Sequence, residues 1–410
     1  MELFLKNRTI LLGVTGSIAA YKAADLASRL TKAGASVDVV LTEAALKFIS
    51  PLTFSSLTGR KAYTTQDVWG DGEHVLHIAL ARRADLLLIA PATANTLSAL
   101  AAGQADTLLT MAALAATCPL VFAPAMDAGM YEHAATQANV DTLVSRGAYL
   151  IEPAEGRMAS GLIGRGRMVE PEEIVGHVRL VLGRDGDLAG RSVLVTAGGT
   201  REPIDPVRAV TNRSSGKQGY ALAQAALDRG ATVTLITAPT SLTPPIGARV
   251  LHVERAAEMQ VAVLEEAKSA DVLVMAAAVS DFRPASSAEQ KIKKNGSSLQ
   301  IDLKPTEDIL KAVAALRKNT GFPAVVVGFA AESQDLLKNA RVKLEEKELD
   351  LIAANDISRT DAGFAVDTNQ VTLLNNKGAE ELPLQTKAEA ASDILDRVVE
   401  LLPGSKTDEL

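Results

Sequence analysis

Long unbroken apolar runs, rather than alternating ones, mark the strands of this chain. "ILLGV", "VDVVL", "DLLLIAPA" and "PLVFAPAM" lie in its first half; "SVLVTA", "ATVTLITA", "DVLVMAAA" and "PAVVVGFA" lie in its second. Strands buried on both faces read this way, as in parallel sheets covered by helices. Between them, apolar positions recur at helical spacing over Ala19–Lys32, Asp106–Ala116, Ala134–Arg146, Gly219–Arg229 and Ala256–Lys268. Several of these segments end in "AG" or "RG", where glycine closes a helix. The alternation predicts an α/β chain made of two Rossmann-like, doubly wound parallel-sheet domains. Their boundary falls at the polar, glycine-rich "GRDGDLAGR", Gly183–Arg191, after a helical segment at Glu172–Leu182. The expected division is a domain over 1–183, a linker over 184–190 and a domain over 191–410.

Composition agrees and removes several function classes. At 410 residues the chain exceeds what one core holds, about 250–300 residues. Apolar content of 47% and charged content of 22% exclude wholesale disorder. A formal net charge of −7 argues against nucleic-acid and anionic-membrane partners, but not against small anions held by local donors. A single cysteine, Cys118, excludes an intrachain disulfide framework and fits a reducing compartment. The start, "MELFLKNRTILLGV", has too short an apolar core for a signal peptide, and no stretch nears the roughly 20 residues that span a bilayer. A cytoplasmic protein is expected, with a frayed tail at "PGSKTDEL".

Two glycine turns carry the candidate chemistry. A strand-to-helix turn offers free backbone N–H groups at a partly positive helix end, which attracts phosphate. In "TILLGVTGSIAAYKAADL", Gly13, Gly16 and Ser17 supply such a turn. The second strand ends in Thr42, a hydroxyl that suits a mononucleotide phosphate better than a ribose diol. A later strand ends "APATANT", where Thr93 or Asn95 either caps a helix or faces a ligand crevice. The second turn lies in "SVLVTAGGTREPIDPVRAVTNRSSGKQGYAL" from Ser192. Backbone donors around Gly198 and Gly199 can take a phosphate. Arg208, Asn212, Ser214, Ser215 and Gly216 share one polar loop suited to a phosphate and a carboxylate; the same loop also reads as a capped helix start. Neither half combines G-x-G-x-x-G with an acidic ribose partner, which argues against a nicotinamide oxidoreductase. The loop's density of polar groups exceeds what an electron carrier needs.

In order and spacing, "GVTGSIAAYKA", "HIALARRADLLLIAPATANT", "GQADTLLT", "APAMDAGM" and "EGRMASGLIGRGRM" resemble the flavin-containing cysteine decarboxylases. "TAGGTREPIDPVRAVTNRSSGKQG", "AAAVSDFRP", "QKIKK", "VVGFAAES" and "LDLIAANDI" resemble the bacterial, CTP-using phosphopantothenate–cysteine ligases. The resemblance covers nearly the whole chain and implies a bifunctional enzyme of coenzyme A biosynthesis. It implies that CTP activates 4′-phosphopantothenate as an acyl-cytidylate, which cysteine attacks. A flavin then oxidises the cysteinyl thiol, CO₂ is lost from the thioaldehyde, and the ene-thiolate is reduced again. FMN is implied at Gly16, Ser17, Ile18, Thr42, Thr93 and Asn95. Asn212 and Arg208 are implied to handle the acyl intermediate, and Lys291, in a basic "NG" hairpin, to act after activation with Lys293 and Lys294 in support. The nucleotide is implied at Gly198, Gly199, Ser214, Ser215, Gly216, Ala277, Ala278, Pro305, Thr306, Glu307 and Asp308. Lys343 and Lys347, spaced i,i+4 on one helical face, could grip phosphates, while Glu345 and Glu346 between them allow an ordinary surface helix; the resemblance favours a nucleotide role for both lysines, with Phe329 beside the base and Asp281 at the nucleotide and Mg²⁺. The resemblance further implies a homo-oligomer assembled through both domains, with flavin sites completed by neighbours.

Three positions depart from the family pattern. Arg213 stands where a histidine is usual. Of the decarboxylase residues, His77 is present, but Asp127 replaces an asparagine and Ser160 replaces a flap cysteine. An ionised Asp127 would repel a substrate carboxylate unless protonated or paired. A serine hydroxyl is a far poorer proton donor than a thiol. Three outcomes stay open: another proton donor serves, turnover is slowed, or the first domain is a flavin-binding scaffold beside a working ligase. Retained activity is expected, because His77 and the flavin segments are intact.

Overall fold

Each apolar run is a parallel strand, and the two halves of the chain build the same sheet. The computed structural model describes residues 4–69, 75–157, 161–294, 298–332, 334–356 and 366–404. They fall into two compact units, Met1–Leu182 and Gly183–Leu410.

The first unit contains β1 (Thr9–Val14), β2 (Ser36–Leu41), β3 (Ala62–Thr64), β4 (Leu86–Ala92), β5 (Leu120–Pro124) and β6 (Tyr149–Leu150). They form one all-parallel sheet in the order β3-β2-β1-β4-β5-β6. A hairpin of β7 (Ala154–Arg157) and β8 (Ile163–Arg167) follows. The helices are α1 (Ala20–Lys32), α2 (Pro51–Thr58), α3 (Leu76–Arg83), α4 (Ala94–Ala102), α5 (Leu108–Ala115), α6 (Ala128–Glu132), α7 (Ala134–Ser145) and α8 (Pro171–Gly183). Ile10, Leu12 and Val14 of β1 pack in one core with Leu26 of α1 and Val178 of α8. Leu11 faces the other way, into a core with Leu80 of α3, Leu97 of α4 and Leu109 of α5. Successive strand residues point to opposite faces, and both faces are covered. That is why the runs are unbroken.

The second unit opens with β9 (Ser192–Ala197), a hairpin of β10 (Arg201–Asp205) and β11 (Arg208–Thr211), and α9 (Lys217–Asp228). Next come β12 (Thr232–Thr237), β13 (Arg249–His252), α10 (Ala256–Glu266), β14 (Val272–Met275), and the pair β15 (Phe282–Pro284) and β16 (Leu303–Pro305). Then follow α11 (Ile309–Thr320), β17 (Val325–Glu332), α12 (Leu336–Glu346) and β18 (Leu351–Asp356). The unit ends with β19 (Thr368–Asn369), β20 (Val371–Asn375), β21 (Gly378–Glu381), β22 (Gln385–Thr386) and α13 (Lys387–Leu401). Six strands run parallel in the order β13-β12-β9-β14-β17-β18, the same order as in the first unit. To these the structure adds an antiparallel edge, β20 and β21, which the apolar runs did not announce.

Both sheets start with the same device. The backbone N–H of Thr9 donates to Asp85 Oδ2 at 2.7 Å, and that of Ser192 donates to Asp271 Oδ2 at 2.8 Å. Each aspartate precedes the neighbouring strand and pins two strand ends in register. Residues 184–190 are turns that pack within the second unit: Leu188 is fully buried and its N–H donates to Arg229 O at 2.9 Å. The expected basic hairpin is not formed by the described residues: Lys291–Lys294 carry no strand, and Leu303–Pro305 pairs instead with β15, upstream of the basic run, while Asn295–Gly296 lie outside the described residues.

Candidate active sites

Ligands of open α/β sheets bind where the strand order reverses, outside the carboxyl ends of the strands. In the first unit that point lies between β1 and β4. Thr15, fully buried, ties the two ends together: its Oγ1 donates to Pro91 O at 2.6 Å and accepts from Thr93 N at 3.2 Å. A cavity of about 600 Å³ opens there, lined by Gly16, Ser17, Thr42, Thr93 and Asn95 among others. This is within the range of small-molecule sites. Gly16 is required by close approach, since a Cβ there would lie 2.4 Å from Ala44 Cβ. The hydroxyls of Ser17, Thr42 and Thr93 and the amide of Asn95 share the lining with the apolar Leu109, Met126 and Met130. These residues fit a flat, phosphorylated ligand.

The other first-unit candidates do not line that cavity. Ile18 is 67% exposed and His77 sits half-buried in the first turn of α3. Asp127 caps α6, accepting from Gly129 N at 3.1 Å, one residue beyond the cavity-lining Met126. The β7–β8 hairpin docks on this segment: Met126 N donates to Gly166 O at 2.9 Å, and Gly164 passes so close that a Cβ would lie 2.7 Å from Ala128 Cβ. Glu152 accepts from Tyr131 Oη at 3.2 Å and from Arg165 at 2.8 Å, bracing the same region. Ser160 lies outside the described residues. Cys118 precedes β5 and does not line the cavity, so it is not placed to substitute for the flap residue; burial pushes its thiol above the usual range.

In the second unit the reversal lies between β9 and β14. A cavity of about 570 Å³ there gathers Asn212, Ser214, Ser215, Gly216, Ala277, Ala278 and Asp281. Thr306, Glu307, Asp308, Phe329, Lys343 and Lys347 complete the candidates that line it. Gly216 precedes α9 in the left-handed region (φ 75°), where glycine carries no steric penalty. Ser214 Oγ accepts from Gly216 N at 3.3 Å, while the next first-turn residues, Gln218 and Gly219, face the cavity. Asn212 Nδ2 donates to Val279 O at 3.0 Å, pinning the loop to the segment that follows β14. Asp281 is exposed at the rim. Among the described residues no three His, Cys, Asp or Glu side chains are grouped to hold a metal. One carboxylate at a nucleotide cavity still fits Mg²⁺, which takes most ligands from phosphates and water.

On α12, Lys343 Nζ donates to Phe329 O at 2.7 Å, and Lys347 pairs with Asp308 at 3.0 Å. Asp308 also caps α11, accepting from Leu310 N and Lys311 N. Burial pushes its carboxyl up, but Lys347 and the capping N–H groups outweigh burial and hold it below the usual range.

Gly198, Gly199, Arg208, Lys291 and Pro305 do not line this cavity. At these two glycines the neighbouring segment is tied on: Ala278 N donates to Gly198 O at 2.8 Å, Thr200 N donates to Ala278 O at 3.3 Å, and Gly199 bridges Ala278. The cavity's helix start is Gly216 instead. Arg208 and Lys291 belong to a neighbouring assembly held by Asp205, whose side chain is fully buried. Asp205 Oδ2 accepts from Arg208 at 2.6 Å and from Ile292 N at 3.1 Å, next to the exposed Lys291. Among the cavity residues that escaped the sequence reading are the polar Lys217, Gln218, Asn355, Asn369 and Lys387. Only the capping box Thr386-x-x-Glu389 marked the helix that begins at Lys387.

Comparison with known proteins bears on both units. The family model "Flavoprotein" matches residues 3–183, and "DNA/pantothenate metabolism flavoprotein C-terminal domain" matches residues 188–402. The chain is 45% identical to the coenzyme A biosynthesis bifunctional protein CoaBC of Bacillus subtilis (strain 168), over 97% of this chain and 98% of that one. Its identity to the protein of the same description from Mycobacterium tuberculosis (strain ATCC 25618 / H37Rv) is 47%, over 97% of each chain. Among solved structures, the C-terminal domain of a coenzyme A biosynthesis bifunctional protein CoaBC covers 52% of this chain and 96% of its own, with 39% identity and a TM-score of 0.44.

Proposed function

The chain belongs to the family of coenzyme A biosynthesis bifunctional proteins, and from that premise we propose how its two units divide the work. The second unit joins 4′-phosphopantothenate to cysteine using CTP. The first decarboxylates the product, 4′-phospho-N-pantothenoylcysteine, to 4′-phosphopantetheine with FMN.

One observation carries the ligase reading: the glycine-started α9, the carboxyl end of β14 and the lysine face of α12 converge on one cavity. A carboxylate oxygen of 4′-phosphopantothenate attacks the α-phosphorus of CTP. The bond to the β-phosphoryl oxygen breaks, and pyrophosphate leaves. The amine of cysteine then attacks the acyl carbon, the acyl–oxygen bond breaks, CMP leaves, and the amine's proton passes to solvent. The first-turn amides of α9 with Ser214 and Ser215 suit the phosphates, and Asp281 suits Mg²⁺. Asn212 and Arg208 orient the acyl group, and Lys291 steadies its carbonyl oxygen during aminolysis.

In the first unit, Gly16 and Ser17 suit the FMN phosphate, with Thr42, Thr93 and Asn95 along the cavity. FMN, when bound, supplies a two-electron acceptor that returns the electrons after CO₂ has left. His77 moves a proton at the cysteinyl sulfur. Asp127, already accepting from Gly129 N, orients the substrate rather than repelling it. His77 does not line the cavity of its own chain; in this reading a homo-oligomer, which the family resemblance implies, completes the flavin sites between copies. No helix among the described residues is long and apolar enough to cross a membrane.

Two measurements test the proposal. Purified protein should absorb in the visible as oxidised flavin, and should release pyrophosphate only with CTP and 4′-phosphopantothenate present. It should release CO₂ from 4′-phospho-N-pantothenoylcysteine. Flavin bound without CO₂ release would instead favour a ligase carrying a flavoprotein scaffold, the reading that Asp127 and Ser160 keep in view.

A further inference from the structure

Asp205 ends β10, and its side chain is fully buried although it carries a charge. A buried carboxylate is costly unless donors reach it, and here three do. Oδ1 accepts from Val207 N at 2.9 Å, which closes the turn between β10 and β11. Oδ2 accepts from Arg208 Nη1 at 2.6 Å and from Ile292 N at 3.1 Å, 87 positions along the chain. The same Arg208 Nη1 donates to Ile292 O at 3.2 Å. Both backbone polar groups of Ile292 are therefore gripped by one Asp–Arg pair. A further bond, from Ala288 N to Ile204 O at 2.9 Å, lays the approaching chain along β10. Burial pushes the Asp205 carboxyl up, but the N–H groups of Val207 and Ile292 and the charge of Arg208 outweigh burial and hold it below the usual range. The grip falls on the residue next to Lys291. Lys291 is exposed and ends in an ammonium on a flexible four-carbon stem, so its place depends on where its backbone is held. The chain that carries it leaves from Asp281 and returns at Thr306; Thr306 N donates to Asp281 O at 2.9 Å, and both residues line the second cavity.

We propose that Asp205 is a positioning residue for ligation: through Ile292 it fixes Lys291 where that ammonium serves the acyl intermediate. The inference rests on the ligase reading of the second unit. A carboxylate suits the place by geometry as well as charge. It offers lone pairs on both oxygens and no donor, so one group takes all three bonds. An amide of the same shape has a single acceptor oxygen. Its NH₂ would face either Val207 N–H or the paired donors of Arg208 and Ile292. The carboxylate also neutralises Arg208, which would otherwise repel the neighbouring Lys291 ammonium. Such placement matters most in aminolysis, since a displacement of about 1 Å can cost about 100-fold in rate. Activation at phosphorus depends on the groups that line the cavity, and Asp205 is not one of them.

The test separates the two half-reactions of the full chain by rapid quench, with CTP, 4′-phosphopantothenate and Mg²⁺. Pyrophosphate released before cysteine is added reports activation, and amide formed afterwards reports aminolysis. Asp205→Asn should release pyrophosphate within about threefold of the wild-type rate and form amide about 10–100-fold more slowly. Lys291→Gln should show the same split. In the double variant the loss of amide formation should fall short of the product of the two single losses by about tenfold, because one residue acts through the other. If Asp205→Asn does not fold, hydrogen exchange of the wild-type protein stands in: the Ile292 amide should exchange at least about 100-fold more slowly than in an unfolded chain. Wild-type amide formation in Asp205→Asn overturns the positioning role. Equal losses in both half-reactions, losses that multiply in the double variant, or an Ile292 amide that exchanges at the unfolded rate overturn it too. Wild-type amide formation in Lys291→Gln removes the residue being positioned and the inference with it. Wild-type protein that releases no pyrophosphate sinks the ligase reading and this inference together.

Discussion

Removing the Lys387 ammonium should make the ligand-free protein more stable. In the folded chain this group titrates near 8 instead of its ordinary 10.5. At about 1.4 kcal/mol per pH unit, that displacement is worth about 3.5 kcal/mol. The unfolded chain binds more protons than the folded one between about 8 and 10.5, so wild-type stability rises with pH across that window. Below about 8 the full cost is present. Lys387→Met keeps the aliphatic stem and drops the charge, but it also loses the attraction to Asp367 and the ammonium's own contacts. A net gain of about 1–2 kcal/mol at pH 7 is expected, or roughly 2–8 °C for a unit of this size. Scanning calorimetry of the full chain at pH 7 and pH 10.5 measures it, with hydrogen exchange of α13 peptides assigning the transition. The gain should shrink toward zero at pH 10.5. A variant less stable than wild type at pH 7, or a gain that does not change with pH, would refute the idea that burial strains this ammonium.

Lys291→Gln should block amide formation while leaving the flavin spectrum intact; unchanged ligation in a coupled pyrophosphate assay with cysteine removes the assignment. His77→Asn should spare ligation and stop CO₂ release, and continued release would move the proton transfer elsewhere. Gly219→Ala would place a Cβ 2.6 Å from Ala197 Cβ and 2.8 Å from Thr196 O. It should push α9 off β9, at a cost of about 1–3 kcal/mol, and weaken CTP in titration; wild-type stability and affinity would show the fit is looser than drawn. Asp271 is pushed up by burial but held below the usual carboxylate range by Ser192 N–H, Ser192 Oγ and Arg191. Its contribution is therefore present above the unfolded pKa of about 3.9 and is lost as pH falls through the lower folded value. Asp271→Asn should lower Tm at pH 7 by more than at pH 2, and an equal loss at both would exclude the charge as the cause.

Local chemistry made much of this protein readable in advance. A strand covered on both faces must be apolar at every position, so "ILLGV" and "SVLVTA" announced parallel sheets without any knowledge of their partners. Gly16 and Gly216 were likewise legible, because tight turns before helices demand them. The meeting of distant residues was not. Gln218 reaches the carbonyl of Lys387 across 169 positions of chain, and only the antiparallel return through β20 and β21 brings α13 against α9. Gly198 and Gly199 show the converse: they read as an anion turn, but they do not line the cavity, and the segment at Ala278 packs against them through the Gly198 carbonyl and the Thr200 N–H. Periodicity records which faces each segment must bury. Which polar groups are left over to face a ligand depends on long-range pairing, where each donor's fate is decided by a partner far along the chain.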